Sequence, residues 1–338
     1  MQSNTVITRT VLLIVLMYLC ACSGPQQQVR PDKPVETPTL GKDAILMEDG
    51  YRLPLRHWST SGKPRAVVLA LHGFNDYSKA FDTTARYLSG RAIAMYAVDQ
   101  RGFGASAQTG LWAGEARMQA DLLTATKLLC NRYPATPVYL MGESMGGAVI
   151  LQSAPDLHST CVAGVILSAP AVWGWETMPW WQGMALRMMA HIAPAMTVTG
   201  EGLDIRPSDN IEMLRALGRD PLVIKKTRID TIYGLTDLMQ SAYTHSDELH
   251  LPTLLLYGEH DEIITPVPMC GMLQKLGDLS ANGWRMLLYP DGFHMLTRDL
   301  QAARVLGDIA AWLNNHTARL PSELEVDQGV PRMQALCR

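Results

Sequence analysis

The chain has 338 residues, 47% hydrophobic and 18% charged, with 29 Lys and Arg against 32 Asp and Glu for a net charge of −3. That length fits one large domain carrying an insertion, and the near-balance of charge gives no basic field for nucleic acid. The composition is too apolar for a disordered protein, six cysteines are too few for a disulfide scaffold, and no stretch reaches the roughly 20 apolar residues of a spanning helix.

In chain order, the first feature is an address. Arg9 is the only charged side chain among residues 1–20, and an apolar run follows it up to Ala21. At about twelve residues the run has the length of a secretory signal. Leu19-Cys20-Ala21-Cys22-Ser23-Gly24 resembles the lipobox of bacterial lipoproteins, with Cys22 as the acylated mature N-terminus. Cys20 does not fit, because Leu19 and Met17 are poor residues for the positions before it. By the same resemblance Ser23, which is not Asp, implies an exported lipoprotein of the outer membrane facing the periplasm. The signal is thus 1–21, and 22–43, with Pro31, Pro34, Pro38 and three Gln, reads as a flexible lipid-anchored tether. Export permits disulfides, but the spacings of Cys130, Cys161, Cys270 and Cys337 are wide and match no metal motif. Buried free thiols are the expectation, with Cys337 the one candidate for a bridge.

From residue 44 short apolar runs alternate with amphipathic stretches. Ile45–Met47 and Tyr51–Trp58 form a hairpin turned by Asp49-Gly50. Buried strands are expected at 66–71, 92–98, 138–141, 162–167, 253–257 and 285–289. Helices are expected at 78–88, 115–130, 146–152 and 304–313. Such alternation means an α/β fold with a mostly parallel, doubly wound sheet. The pattern breaks at 171–245, where helical stretches rich in Trp and Met form an inserted cap. The core therefore runs over 44–170 and 246–320, and 321–338 reads as a polar tail.

Gly142-Glu143-Ser144-Met145-Gly146, followed by Gly147, lies between a strand and a helix. A nucleophilic serine on so tight a turn needs neighbours without bulk, and the turn lifts its hydroxyl clear of the sheet. A merely helix-capping Ser144 would not need three glycines. The serine needs a base, and the base an orienting acid. Of nine His, His294 lies just past the last buried strand, at the edge where sites form in open α/β sheets. The acid lies past the preceding strand, where Glu259, Asp261 and Glu262 compete. The oxyanion donors expected are the N–H groups of Met145 and of Phe74, in the loop His72-Gly73-Phe74. His72 shapes that loop by packing and hydrogen bonding.

The set His72-Gly73, Asp99 to Ser106 with Arg101, Gly142 to Gly147, Gly258-x-x-Asp261 and Gly292-Phe293-His294 resembles the α/β-hydrolase superfamily. It is similar in particular to the monoacylglycerol lipase and lysophospholipase branch, grouped with serine aminopeptidase-type hydrolases. The resemblance covers 45–318. It implies Asp261 as the triad acid, Arg101 as a structural tie between loops, and no metal or cofactor. Where the family often has His before the nucleophile, this chain has Glu143.

The resemblance implies hydrolysis of carboxylic esters, with a monoacylglycerol or lysophospholipid-like substrate. Packing among cap helices accounts for most of Trp173, Trp175, Trp180, Trp181, Met184, Met188 and Met189. Trp173 and Trp175, nearest the core, are the pocket candidates. A serine aminopeptidase or amidase of the same fold is the alternative, with Glu176, Glu201 and Asp204 available to hold an ammonium group. A non-catalytic binding lipoprotein is the third. Epoxide hydrolase or dehalogenase chemistry is disfavoured, since those relatives place Asp where Ser144 stands.

Overall fold

The computed structural model describes residues 24–29, 36–326 and 331–337. The signal segment and Cys22 lie outside the described residues. The strands are β1 (Thr39–Leu40), β2 (Ala44–Leu46), β3 (Arg52–Trp58), β4 (Ala66–Leu71), β5 (Ile93–Val98), β6 (Val138–Glu143), β7 (Val162–Ser168), β8 (Thr197–Val198), β9 (Thr227–Arg228), β10 (Thr253–Gly258), β11 (Trp284–Tyr289) and β12 (Glu325–Val326). The α-helices are α1 (Asp82–Ser89), α2 (Glu115–Arg132), α3 (Met145–Gln152), α4 (Ala154–Leu157), α5 (Trp180–Ile192), α6 (Ile211–Arg219), α7 (Ile229–His245), α8 (Pro266–Leu276), α9 (Ala302–Asn314) and α10 (Pro331–Leu336). None of the described helices is long and apolar enough to cross a membrane.

Among the described residues one ten-stranded sheet runs β1-β2-β3-β5-β4-β6-β7-β10-β11-β12. From β5 to β11 all neighbours are parallel, while β1–β3 and β12 add antiparallel edges. Every residue of β4, β5, β6 and β10 is buried. This is what an uninterrupted apolar run achieves when helices cover both faces of the sheet. The core is accordingly two clusters, one on each face. Strand order reverses at β4, so the carboxyl ends of β4, β6, β10 and β11 open onto one edge, where such sheets bind ligands.

Four expectations change. The segment 78–88 begins as a 3-10 turn, Ser78–Phe81, before α1. The C-terminal segment is not a polar tail: β12 pairs with β11, and α10 buries Met333. The cysteines are not free thiols, since Cys130 bonds Cys161 and Cys270 bonds Cys337. The first bridge joins the end of α2 to the start of β7, and the second pins the C-terminus to α8. Each closes a loop and contributes about 2–4 kcal/mol. Finally, 22–43 is not all free tether: residues 24–29 lie against the domain, hydrogen-bonded to Trp112 and Asp230, and Thr39–Leu40 form β1, paired with β2.

The insertion contains α5, α6, α7 and a two-stranded ribbon of β8 and β9. Trp180, Trp181, Met184 and Met188 of α5 are all exposed, Trp180 by 76%. Packing of the cap therefore does not account for most of the Trp/Met set.

Candidate active site

Ser144 stands between β6 and α3 with φ 51° and ψ −115°. A non-glycine residue held there costs on the order of 1–3 kcal/mol, and the surrounding hydrogen bonds sustain it. The Ser144 N–H donates to the Ser168 carbonyl (2.9 Å), and its own carbonyl accepts from Ala148 (3.1 Å) and Ala171 (3.0 Å). A side chain on Gly146 would collide with the Leu71 carbonyl at the end of β4, so the elbow needs glycine there to seat against the neighbouring strand.

The loop after β4 lies directly beside Ser144. A Cβ on Gly73 would sit 3.4 Å from the Ser144 Cβ. The Phe74 and Met145 N–H groups thus belong to the two segments that meet at Ser144. His72 is fully buried; its Nε2 accepts from the Gln100 N–H (3.0 Å) and its Nδ1 donates to the Gly73 carbonyl (2.8 Å). Burial lowers its pKa, so it remains a neutral clasp on the loop.

Asp261 and His294 come together across the ends of β10 and β11. His294 Nδ1 donates to Asp261 Oδ2 (2.8 Å), and Asp261 Oδ1 accepts from the N–H groups of Ile263 and Ile264 (both 2.9 Å). The two loops are also joined by the His260 N–H to the Gly292 carbonyl (2.9 Å). Burial alone would lower the His294 pKa; the charge and hydrogen bond of Asp261 outweigh it and, with Glu143, raise it above the usual imidazole value. The competing carboxylates have other partners. Glu259 pairs with Arg332 of α10, and Glu262 accepts from the Arg206 N–H of the cap (2.6 Å).

Sequence reasoning missed a buried charge cluster beneath these loops. Arg298 is buried, with its guanidinium donating to Asp76 (2.7 Å) and to Glu143. It thereby joins the turn at Ser144, the loop of Phe74 and the loop of His294. The next residue, Asp299, accepts from the Phe293 N–H (2.9 Å) and from Ser208 Oγ of the cap (2.6 Å). One signal was present: a Glu beside Ser144, inside an otherwise apolar strand, needs a cation to be buried.

Arg101 is buried between Asp49 (2.8 Å) and Asp121 (2.6 Å), tying the β2–β3 turn to α2. Trp175 is a strut within the cap. Its indole donates to Asp237 (2.7 Å), and its ring lies between Tyr233 and the Arg187 guanidinium. Trp173 is half-buried against the core, two residues beyond Ala171. Glu176, Glu201 and Asp204 are solvent-exposed. Among the described residues no group of three or more His, Cys, Asp or Glu is placed to hold a metal ion.

Residues 62–301 match the family described as serine aminopeptidase, S33. The chain belongs to that family. Its α/β-hydrolase fold is also that of a soluble variant of monoglyceride lipase from Saccharomyces cerevisiae in complex with a substrate analog, at TM-score 0.67 and 21% identity, over 87% of this chain and all of the other. In sequence this S33 member is similar to a monoacylglycerol lipase of Mycolicibacterium smegmatis, 24% identical over 79% of this chain and 94% of that one. It is also similar to the monoglyceride lipase of Mus musculus, 25% identical over 84% and 94% respectively.

Proposed function

We propose that this ester-hydrolysing enzyme uses Ser144, His294 and Asp261 as a catalytic triad on monoacylglycerol or lysophospholipid-like esters. The observations that carry the reading are the buried Asp261–His294 hydrogen bond and a serine held at positive φ on a strand-to-helix turn. Ser144 Oγ attacks the ester carbonyl while His294 takes its proton. Asp261 fixes the imidazole tautomer and steadies the imidazolium. The N–H groups of Phe74 and Met145 hold the oxyanion, at the positive end of α3. His294 returns the proton to the leaving alcohol and then activates water to release the acid. The raised His294 pKa suits a base that must accept a proton near neutral pH.

The likeness to monoacylglycerol and monoglyceride lipases supports a lipid ester, and the exposed apolar α5 supports collection from a lipid surface. The signal-like run, Cys22 and two disulfides support an exported lipoprotein in an oxidising compartment, at the periplasmic face of the outer membrane. The family's own description favours a second reading, an aminopeptidase. That chemistry needs a carboxylate to grip the substrate ammonium group, and the cap carboxylates singled out for it are exposed. A comparison of p-nitrophenyl esters of increasing chain length, monoacylglycerols and aminoacyl-anilides tests the choice. Higher kcat/KM on the medium or long acyl esters is expected; a preference for anilides would overturn the substrate class.

A further inference from the structure

Residues 24–29 cross the junction between core and cap. The Gln28 N–H donates to the Trp112 carbonyl (2.8 Å), and its side-chain amide to the Leu111 carbonyl (3.1 Å). Val29 and Gln108 exchange two hydrogen bonds. At the other end the Gln26 N–H donates to Asp230 Oδ2 (3.2 Å), and Arg228 donates to Gln26 Oε1 (2.9 Å). Arg228 and Asp230 flank the start of α7 and form an ion pair in which Asp230 is wholly buried. Buried Trp112 packs on α7 at Gly234, and Thr231 of α7 donates to the Gly110 carbonyl (2.7 Å). The same end of α7 holds the chain leaving α5, through the Ile229 N–H to Met196 (2.9 Å) and the Asp230 N–H to Pro194 (3.1 Å). Segment 24–29 and the C-terminal end of α5 therefore share one support.

The distance to Cys22 is short. Four peptide steps separate it from Gln26, and at about 3.5 Å per residue Cys22 stays within roughly 14 Å of that hydrogen bond. If the chain were first held at β1, seventeen residues would allow a reach of roughly 60 Å. On α5, Trp180, Trp181, Met184, Met188 and Ile192 are each more than half exposed, an apolar patch with no partner among the described residues.

We propose that residues 24–29 are a docking strap that holds the lipid-bearing N-terminus at the cap, so that the bilayer carrying the anchor is the surface met by the apolar face of α5. The inference rests on acylation of Cys22. The strap acts by shortening the leash: it raises the effective concentration of α5 at the membrane and restricts the orientations of the domain.

Two insertions of the same flexible Gly/Ser segment of about 20 residues separate the alternatives. One lies between Ser23 and Gly24, upstream of the strap, and the other between Pro31 and Asp32, downstream. Full-length lipidated proteins are reconstituted in vesicles containing monoacylglycerol and brominated phospholipid. The upstream insertion is expected to lower both monoacylglycerol turnover and bromolipid quenching of Trp fluorescence at least about threefold, from dilution of α5 at the membrane. The downstream insertion should match the wild type. Hydrolysis of soluble p-nitrophenyl butyrate should be equal in all three. Gln28→Pro, which removes the N–H donated to Trp112, should reproduce the upstream effect without lengthening the chain. Insertions that act alike, or that both leave quenching unchanged, would overturn the strap. Palmitate labelling reports separately on the anchor: label that is absent, or that survives Cys22→Ser, sinks the anchor reading itself and the strap with it.

Discussion

Around Ser144 the charged side chains are buried and paired, whereas on α5 the apolar side chains stand in solvent. Arg298 is enclosed between Asp76 and Glu143, and His294 is locked to Asp261. Trp180, Trp181, Met184 and Met188, 36 residues and more from Ser144 in sequence, are mostly exposed. The two regions invert the usual rule for side-chain burial for different ends. Buried charge costs desolvation but fixes the geometry of loops that must meet within tenths of an ångström. Exposed apolar surface does nothing for the isolated domain and gains free energy only against a second apolar phase. The proposed chemistry and the proposed substrate collection should therefore be separable by variants.

The largest expected effect is at the proposed nucleophile. Ser144→Ala should lower kcat by about 10⁴-fold or more, since the triad acts as a unit, with unchanged circular dichroism. Next is the charge cluster: Arg298→Met leaves two buried carboxylates without their cation and should cost about 3–5 kcal/mol in urea denaturation. Arg86→Ala, which breaks the exposed pair with Asp82, should cost no more than about 0.5 kcal/mol. If the two variants proved equal, the buried cluster would not brace the loops around Ser144.

The cap should behave in the opposite way. Replacing Trp180, Trp181, Met184 and Met188 together by Ser should leave stability and p-nitrophenyl butyrate hydrolysis unchanged. Vesicle partitioning should fall roughly tenfold or more, the equivalent of a side chain's worth of lost burial. A loss of stability instead would mean that α5 packs within the protein. The smallest effect concerns pH. In the proposed triad neutral His294 is the base, and its pKa is raised, so the acid limb of kcat/KM should lie above the ordinary imidazole range, with activity lost as pH falls through it. Glu143→Gln removes a negative charge that favours the imidazolium and should move that limb to lower pH.

The sheet and the elbow were legible in the sequence because both are local patterns. Continuous apolar runs such as Ala66–Leu71 suit only strands covered on both faces, and glycines around Ser144 suit only a tight turn. The Asp261–His294 hydrogen bond joins a histidine singled out by its place just beyond a strand to an aspartate singled out from its two acidic neighbours only through the family resemblance. What stayed hidden depends on partners far apart in the chain. Arg298 meets Asp76 across 222 positions and Glu143 across 155. Cys270 and Cys337 are brought together by β12 and α10, elements too short to leave a periodic trace. The docking of Gln26 and Gln28 depends on partners far along the chain, from Leu111 to Asp230, which composition does not reveal. It is also why 22–43 read as tether throughout.

The central claim is that Ser144 is an activated nucleophile served by His294. The most direct test is labelling of the folded protein with a fluorophosphonate, followed by mass spectrometry of the tryptic peptides. One adduct on Ser144 is expected, formed rapidly in the wild type, absent in Ser144→Ala and strongly slowed in His294→Ala. No adduct on the folded wild type, or an adduct on another residue, would contradict the account.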